Sequence, residues 1–202
     1  MSEREMRQLR CAPGEFRTER AENGDMYIEG YFAVFDSNYN IAPGMSESIA
    51  QGAFKNSLGN DIRCLTDHDT RLVIGRTSAN TFEVREDEHG LWGRALVNPN
   101  DQDALNTKAR VDRGDVNQAS IGFNILSEDT DIRDDGSVHW TIREIDLHEC
   151  SVVTFPAYKE TNISARAAQL AEVEKRNTEA WKEKMKARLQ HGTETVDATQ
   201  ED

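Results

Sequence analysis

The sequence predicts a mainly β protein of the α+β class: an antiparallel β-barrel of six to eight strands with a few short surrounding helices and a C-terminal helical tail. Two observations lead to this prediction. Short stretches rich in β-branched and aromatic residues recur along residues 26–155 and are separated by turn signals. Beyond residue 164 the composition changes to Ala, Glu, Lys, Arg and Gln, which favour helix. Closing the strands into a barrel would remove their exposed edges, which makes it the economical arrangement.

The apolar patterns place the individual elements in order along the chain. Strands are predicted at residues 26–35, 61–65, 72–77, 81–86, 91–97, 118–126, 138–145 and 147–155. The pair 81–86 and 91–97 is the clearest hairpin. Short helices are predicted at residues 46–49 and 52–58, and a longer helix begins at Asn100 or Asp101 and ends near Arg113 because Gly114 follows it.

Three segments are expected. Residues 1–25 are polar and form an arm or a first strand, residues 26–164 form the barrel domain, and residues 165–202 form a charged tail that is helical or disordered. Within the tail, residues 175–188 contain 6 basic and 2 acidic residues. Apolar residues four positions apart make a stripe on this segment, which would dock either on the domain or on a partner: Trp181, Met185 and Leu189.

Composition excludes several classes of function. The net charge of -13 disfavours nucleic-acid binding, because neutralising phosphates requires an excess of Lys and Arg. No apolar run reaches the roughly 18–20 residues that span a bilayer, and the N-terminus does not resemble a secretory signal, so a cytoplasmic location is expected. Three scattered cysteines, Cys11, Cys64 and Cys150, make no disulfide framework.

Three residues on separate predicted strands or strand ends have the chemistry of acyl transfer. Ser120 lies on a strand between apolar residues, His68 directly follows the strand at 61–65, and Glu149 lies in the last strand. A serine hydroxyl needs a base to take its proton, and histidine suits this role because its ordinary pKa is about 6.5. A third group must hold the imidazole tautomer. His148 could replace Glu149 as the third member, but adjacent strand residues face opposite sides, so only one of the two can point at the site.

A structural zinc site is the main alternative from another class. Two cysteines and two histidines could supply tetrahedral ligands: Cys64, His68, His148 and Cys150. Against this, the sequence contains no Cys-x2-Cys pair, and Cys64 is expected to face the core. The sequence therefore predicts neither a metal nor a cofactor.

A series of short motifs resembles the prohead maturation proteases of tailed bacteriophages. The resemblance runs in order from about Tyr27 to Arg166, and no single motif would suffice for it. The motifs are residues 30–37, 41–44 with 52–54, Asp67-His68-Asp69 followed by 74–77, 113–116 leading to Ala119-Ser120-Ile121-Gly122-Phe123, and 149–158. Ala119 and Ile121 stand where the family often has a larger residue and Phe, a departure that keeps the hydroxyl and Gly122.

This resemblance implies a serine endopeptidase related in fold to the herpesvirus assembly proteases. It would act inside the immature capsid, in the host cytoplasm, where it would trim the scaffolding portion of the major capsid protein and then cleave itself. The matching positions make Ser120 the nucleophile, His68 the base and Glu149 the third member. Arg76 is the candidate for the oxyanion hole. A homo-oligomer is left open, and a non-catalytic capsid scaffold protein of the same fold is the alternative.

Overall fold

The computed structural model describes residues 15–155, the backbone of Gln8–Pro13, and eight positions between residues 175 and 186. Contacts within the chain separate two units, Met1–Lys159 and Glu160–Asp202. The eight described positions of the second unit have helical backbone. The rest of the predicted tail lies outside the described residues, so the tail and its boundary stay predictions.

The described residues of the first unit form eleven strands, one α-helix and one 3₁₀ turn. The strands are β1 (Gln8–Pro13), β2 (Arg17–Arg20), β3 (Met26–Val34), β4 (Tyr39–Ala42), β5 (Met45–Ile49), β6 (Arg63–Thr66), β7 (Asp69–Arg76), β8 (Phe82–Glu86), β9 (Gly90–Val97), β10 (Gln118–Ile132) and β11 (Val138–Val153). The helix α1 spans Gln102–Arg113, and the 3₁₀ turn spans Thr77–Ala79. Within these residues, no helix has both the length and the apolar character that crossing a membrane requires.

The long strand β11 organises the larger sheet, which has seven strands. One edge of β11 pairs antiparallel with β10, and β10 pairs in turn with β1. The other edge pairs in parallel with β5 near the start of β11 and with β6 near its end. β4 lies next to β5, and β7 lies next to β6. As a result, β11 lies between the strand that bears Ser120 and the strand that leads to His68.

The smaller sheet contains β2, β3, β9 and β8 in that order, all antiparallel. Its apolar residues form one core with those of the larger sheet and of α1. Gly93 in β9 lies against the rings of Phe32 and Phe82, and a Cβ at this position would approach them to 2.8 and 2.9 Å. The absence of a side chain therefore lets two aromatic rings pack directly on the strand.

The predicted helix at residues 101–113 and the hairpin of β8 and β9 are confirmed. Asp101 caps α1, because its side chain accepts hydrogen bonds from the backbone N–H groups of Asp103 and Ala104. Gly114 ends the helix in the left-handed conformation, with φ 82°. The helix then delivers the chain to β10.

The predicted strand count and the all-antiparallel arrangement are wrong. The described residues form eleven strands, and two pairings of β11 are parallel. An apolar pattern identifies a strand but carries no information on the direction of its partner. Among the described strands no pairing joins the two sheets, so the closed barrel is not confirmed.

The helix predicted at residues 46–49 is also wrong, because this stretch is part of β5. Four of the five β5 residues are buried between the neighbouring strands β11 and β4. The hydroxyls of Ser46 and Ser48 bond the two ring nitrogens of His139 on β11, each at 2.9 Å. Partners supplied by another strand decide this conformation, and no local pattern reveals them.

Candidate active site

Ser120 lies in β10 with its side chain fully buried. Its neighbours Ala119 and Ile121 belong to the hydrophobic core, and strand alternation therefore turns Ser120 to the opposite face of the sheet. In register, Ser120 lies opposite Ser151 of β11. No hydrogen-bond partner of its hydroxyl oxygen is found among the described residues.

Glu149 lies in β11 on the same face as Ser151, two residues away, and is buried. Its Oε2 accepts a hydrogen bond from the Ser151 hydroxyl at 2.5 Å. Its Oε1 lies 2.6 Å from Nδ1 of His68. The buried Glu149 carboxylate thus contacts both the His68 imidazole and the hydroxyl of Ser151, which lies opposite Ser120 in the sheet.

His68 occupies the second position of a two-residue turn between β6 and β7, in which Thr66 pairs with Asp69. Asp67 and His68 both have left-handed backbone, with φ 49° and 60°. This combination is the mirror-image hairpin turn that fits the twist of antiparallel strands. The turn brings the His68 ring to Glu149, although 81 positions separate the two in sequence.

The two acidic neighbours of His68 along the chain are each held by another residue. Asp67 binds the backbone and side chain of Thr154. Asp69 binds Arg71, whose side chain and backbone N–H lower the pKa of the Asp69 carboxyl to about 2. The carboxylate that contacts the imidazole comes from Glu149, far along the chain.

The other candidates from the sequence lie elsewhere. His148 is half-exposed, with Nε2 3.8 Å from an oxygen of Asp146, so Glu149 is the member of the pair that reaches His68. The guanidinium of Arg76 binds Asp61 and holds the pKa of that carboxyl well below its usual range. The backbone N–H of Arg76 donates to Thr81 Oγ1 at 2.9 Å. Because its side chain and its backbone N–H are both bonded elsewhere, Arg76 is not favoured as a donor to the oxyanion. Its place in the oxyanion hole stays a prediction.

The four residues of the alternative zinc site do not converge. Cys64 and Cys150 lie side by side in register on β6 and β11, buried in the core. Burial, with a smaller contribution from the Glu149 carboxylate, raises the pKa of the Cys64 thiol. His68 faces Glu149, and His148 lies by Asp146. In the part of the chain that the structure describes, no three His, Cys, Asp or Glu residues are grouped to hold a metal.

Sequence reasoning missed two residues that hold the site together, Ser151 and Asp67. Ser151 follows Glu149 by two positions in a strand, and this spacing alone places both side chains on one face. Asp67 precedes His68 at a strand end, where aspartate commonly bonds nearby backbone. The signal for Ser151 was present in the sequence, whereas the partner of Asp67 lies 87 positions away.

Chemically, the arrangement suits a proton transfer to the imidazole. A carboxylate that accepts a hydrogen bond from Nδ1–H fixes the tautomer in which Nε2 carries the lone pair. The same carboxylate stabilises the imidazolium that forms when Nε2 takes a proton. The Ser151 hydroxyl donates to the second carboxylate oxygen and keeps the carboxylate in one orientation.

Comparisons with known proteins identify the family of the chain. A sequence model of the caudovirus prohead serine protease family matches residues 14–176. The prohead protease of Enterobacteria phage HK97 is 33% identical over 141 residues, which are 68% of this chain. The chain spans only 60% of the length of that relative. The structure of the bacteriophage T4 capsid assembly protease is similar with a TM-score of 0.45 at 14% identity, over 73% of this chain and 98% of the other. On the extent of the family match, the chain belongs to the caudovirus prohead serine proteases.

Proposed function

We propose that this chain is a serine endopeptidase with Ser120 as nucleophile, His68 as general base and Glu149 as the carboxylate that orients the base. The observation that carries the proposal is the buried Glu149 carboxylate held between His68 Nδ1 and the Ser151 hydroxyl. A buried ionised carboxylate is costly unless it is well bonded, and structural needs alone give no reason to place one beside an imidazole.

The proposed reaction is acyl transfer in two steps. Ser120 Oγ attacks the scissile carbonyl while His68 takes the hydroxyl proton, and the resulting imidazolium gives that proton to the leaving amine. Water then enters, loses a proton to His68 and attacks the acyl-enzyme ester, and the imidazolium returns that proton to the departing Ser120 Oγ. Glu149 stabilises the imidazolium in both steps. The backbone N–H groups around Ser120 are the candidates for stabilising the oxyanion, ahead of Arg76, whose side chain binds Asp61 and whose backbone N–H donates to Thr81.

We propose the phage capsid as the setting of this reaction, since the HK97 relative is a prohead protease. The substrate would be the scaffolding portion of the major capsid protein and, later, the protease itself. The reaction would take place inside the prohead in the host cytoplasm, with the capsid protein as partner and a homo-oligomer as a further option. Neither a nucleic acid nor a membrane is among the proposed partners.

Residues 165–202 are proposed to place the protease among scaffold helices and to be removed by self-cleavage. Two features support this: the basic segment at 175–188, and Trp181, which is 59% exposed among helical positions. Deleting residues 165–202 should prevent incorporation into proheads and spare peptide hydrolysis. Normal packaging of the truncated protein would contradict the proposed role of the tail.

The decisive experiment for the activity is co-expression with the capsid protein, followed by intact mass of both chains. The wild type should shorten the capsid protein and itself, and Ser120→Ala should leave both whole. Ser127→Ala is the matched control, because Ser127 lies exposed on the same strand. If the wild type leaves both chains uncut in assembled particles, a non-catalytic scaffold role becomes the better account.

A further inference from the structure

Asp67 ties the turn that carries His68 to the end of β11. Its backbone N–H donates to the carbonyl oxygen of Val152 at 2.9 Å. Its carboxylate accepts two hydrogen bonds from Thr154, one from the backbone N–H at 2.7 Å and one from the hydroxyl at 3.1 Å. We call these three hydrogen bonds the Asp67 clamp.

The turn needs an external restraint. Two consecutive residues with positive φ are normally found as Asn-Gly or Asp-Gly, because glycine adopts this backbone without steric cost. Here the second position is His68, whose Cβ makes the left-handed conformation unfavourable. Such a conformation persists only where the surrounding structure determines it.

The restraint comes from the strand that also orients the imidazole. Glu149 of β11 bonds the His68 ring, while Val152 of the same strand and Thr154, one residue beyond its end, hold Asp67, the residue before His68. The same strand pairs with β10 in register at Ser120. The position of Ser120 relative to His68 therefore depends on a single strand, β11.

We infer that Asp67 is a positioning residue for His68: its clamp holds the turn so that Nδ1 of the imidazole stays in contact with Glu149, the orientation in which the base would serve Ser120 in the proposed reaction. This inference rests on the proposed function for its catalytic consequence. Asp67 itself is exposed, and a purely structural role would predict a small change in stability and none in the chemical step.

The test compares three substitutions at residue 67 that separate the clamp from the backbone strain. Asp67→Gly keeps the left-handed backbone accessible and removes the carboxylate, and Asp67→Ala removes the carboxylate with the strain retained. Asp67→Asn keeps an acceptor for the Thr154 N–H and tolerates positive φ. Asp69→Asn is the matched control, since it removes the neighbouring carboxylate, which among the described residues bonds Arg71.

Kinetics on a synthetic peptide spanning the cleavage site located by the intact-mass experiment give the first readout. A displacement of the base by about 1 Å can cost on the order of 10²-fold in rate. We expect Asp67→Gly and Asp67→Ala to lower kcat by about 10–10²-fold with KM unchanged, and Asp67→Asn and Asp69→Asn to remain close to the wild type.

The second readout is the proton resonance of His68 Nδ1–H, measured in the Ser120→Ala background, which prevents self-cleavage. It should be lost or broadened in Asp67→Gly and restored in Asp67→Asn. If Asp67→Gly is folded, keeps this resonance and keeps kcat within twofold, the inference is overturned. Because the resonance needs no turnover, it tests the clamp even if no cleavage is found, in which case only the proposed function fails.

If the substitutions at residue 67 prevent folding, Thr154→Val provides the same comparison. It removes only the hydroxyl bond of the clamp in a side chain of similar shape. A several-fold lower kcat at constant KM would support the clamp, and an unchanged kcat with an unchanged resonance would contradict it.

Discussion

Replacing Glu149 by glutamine tests the central contact of the site with almost no change in shape. The carboxylate accepts from His68 on one oxygen and from Ser151 on the other. A glutamine side chain offers one oxygen and one NH₂ group, so it can accept only one of these two hydrogen bonds.

The size of the expected loss in kcat/KM depends on whether the glutamine amide turns its NH₂ group or its oxygen toward His68. If the NH₂ group faces Nδ1, the imidazole must carry its proton on Nε2 and can no longer take one from Ser120, a change that costs on the order of 10⁴-fold in the serine protease template. If the amide oxygen faces Nδ1, the tautomer is kept but the imidazolium loses an anionic partner worth about 1.5–3 kcal/mol. At about 1.4 kcal/mol per tenfold, we expect kcat/KM to fall between roughly 10- and 10⁴-fold.

The assay is hydrolysis of the cleavage-site peptide, with thermal unfolding measured in parallel to establish that the variant is folded. Glu144→Gln is the control, because Glu144 lies on the same strand and its carboxylate bonds Asn56 instead. A folded Glu149→Gln enzyme with more than a third of the wild-type kcat/KM would refute the role of the carboxylate, provided that Ser120→Ala is inactive.

Two further predictions concern stability. Burial, and to a smaller extent Arg133, lower the pKa of His139 in the folded protein. The free energy of unfolding should therefore be highest above the ordinary histidine pKa of about 6.5, and it should decrease as pH falls toward the lower pKa of His139 in the folded protein. His139→Gln should reduce this decrease in denaturant titrations between pH 7 and 5, and an identical pH dependence would contradict the assignment. Gly90→Ala should destabilise the fold by about 1–3 kcal/mol because the new Cβ would overlap the carbonyl of Ala33, whereas Gly59→Ala, with open space around it, should not.

The sequence predicts correctly those elements whose determining residues lie within or next to them. The capping aspartate and the closing glycine of α1 are adjacent to the helix they bound, and the turn between β8 and β9 lies within the hairpin. Ser120 could be placed on a strand, because its apolar neighbours alternate with small residues. The order of motifs also fits the family to which the chain belongs.

The remainder of the fold depends on partners that are distant in sequence. β5 is a strand because β11 and β4 lie on either side of it, and the His139 ring between Ser46 and Ser48 could not be anticipated from their spacing. The residues at 138–145 and 147–155 were separated at Asp146, yet β11 continues through that position. Asp146 is accommodated at a surface position, where it bonds Asn60.

For the site residues too, the sequence predicts what local spacing determines and does not reveal contacts with residues that are distant in sequence. Alternation shows that only one of His148 and Glu149 can point at the site, and the folded chain, in which Glu149 contacts Nδ1 of His68, shows which one it is. The role of Asp67 depends on Thr154, which directly follows β11 and lies 87 positions away in sequence.

The position of β11 as the last strand has a consequence for the order in which the protein becomes complete. The contact between His68 and Glu149 closes a loop of 81 residues, and closing long loops is slow relative to forming local hairpins. During synthesis, Ser120 and His68 leave the ribosome before Glu149, Ser151 and Thr154. A growing chain therefore has a nucleophile and a histidine but neither the carboxylate nor the strand that aligns them, and the complete site can form only once nearly the whole domain has been made.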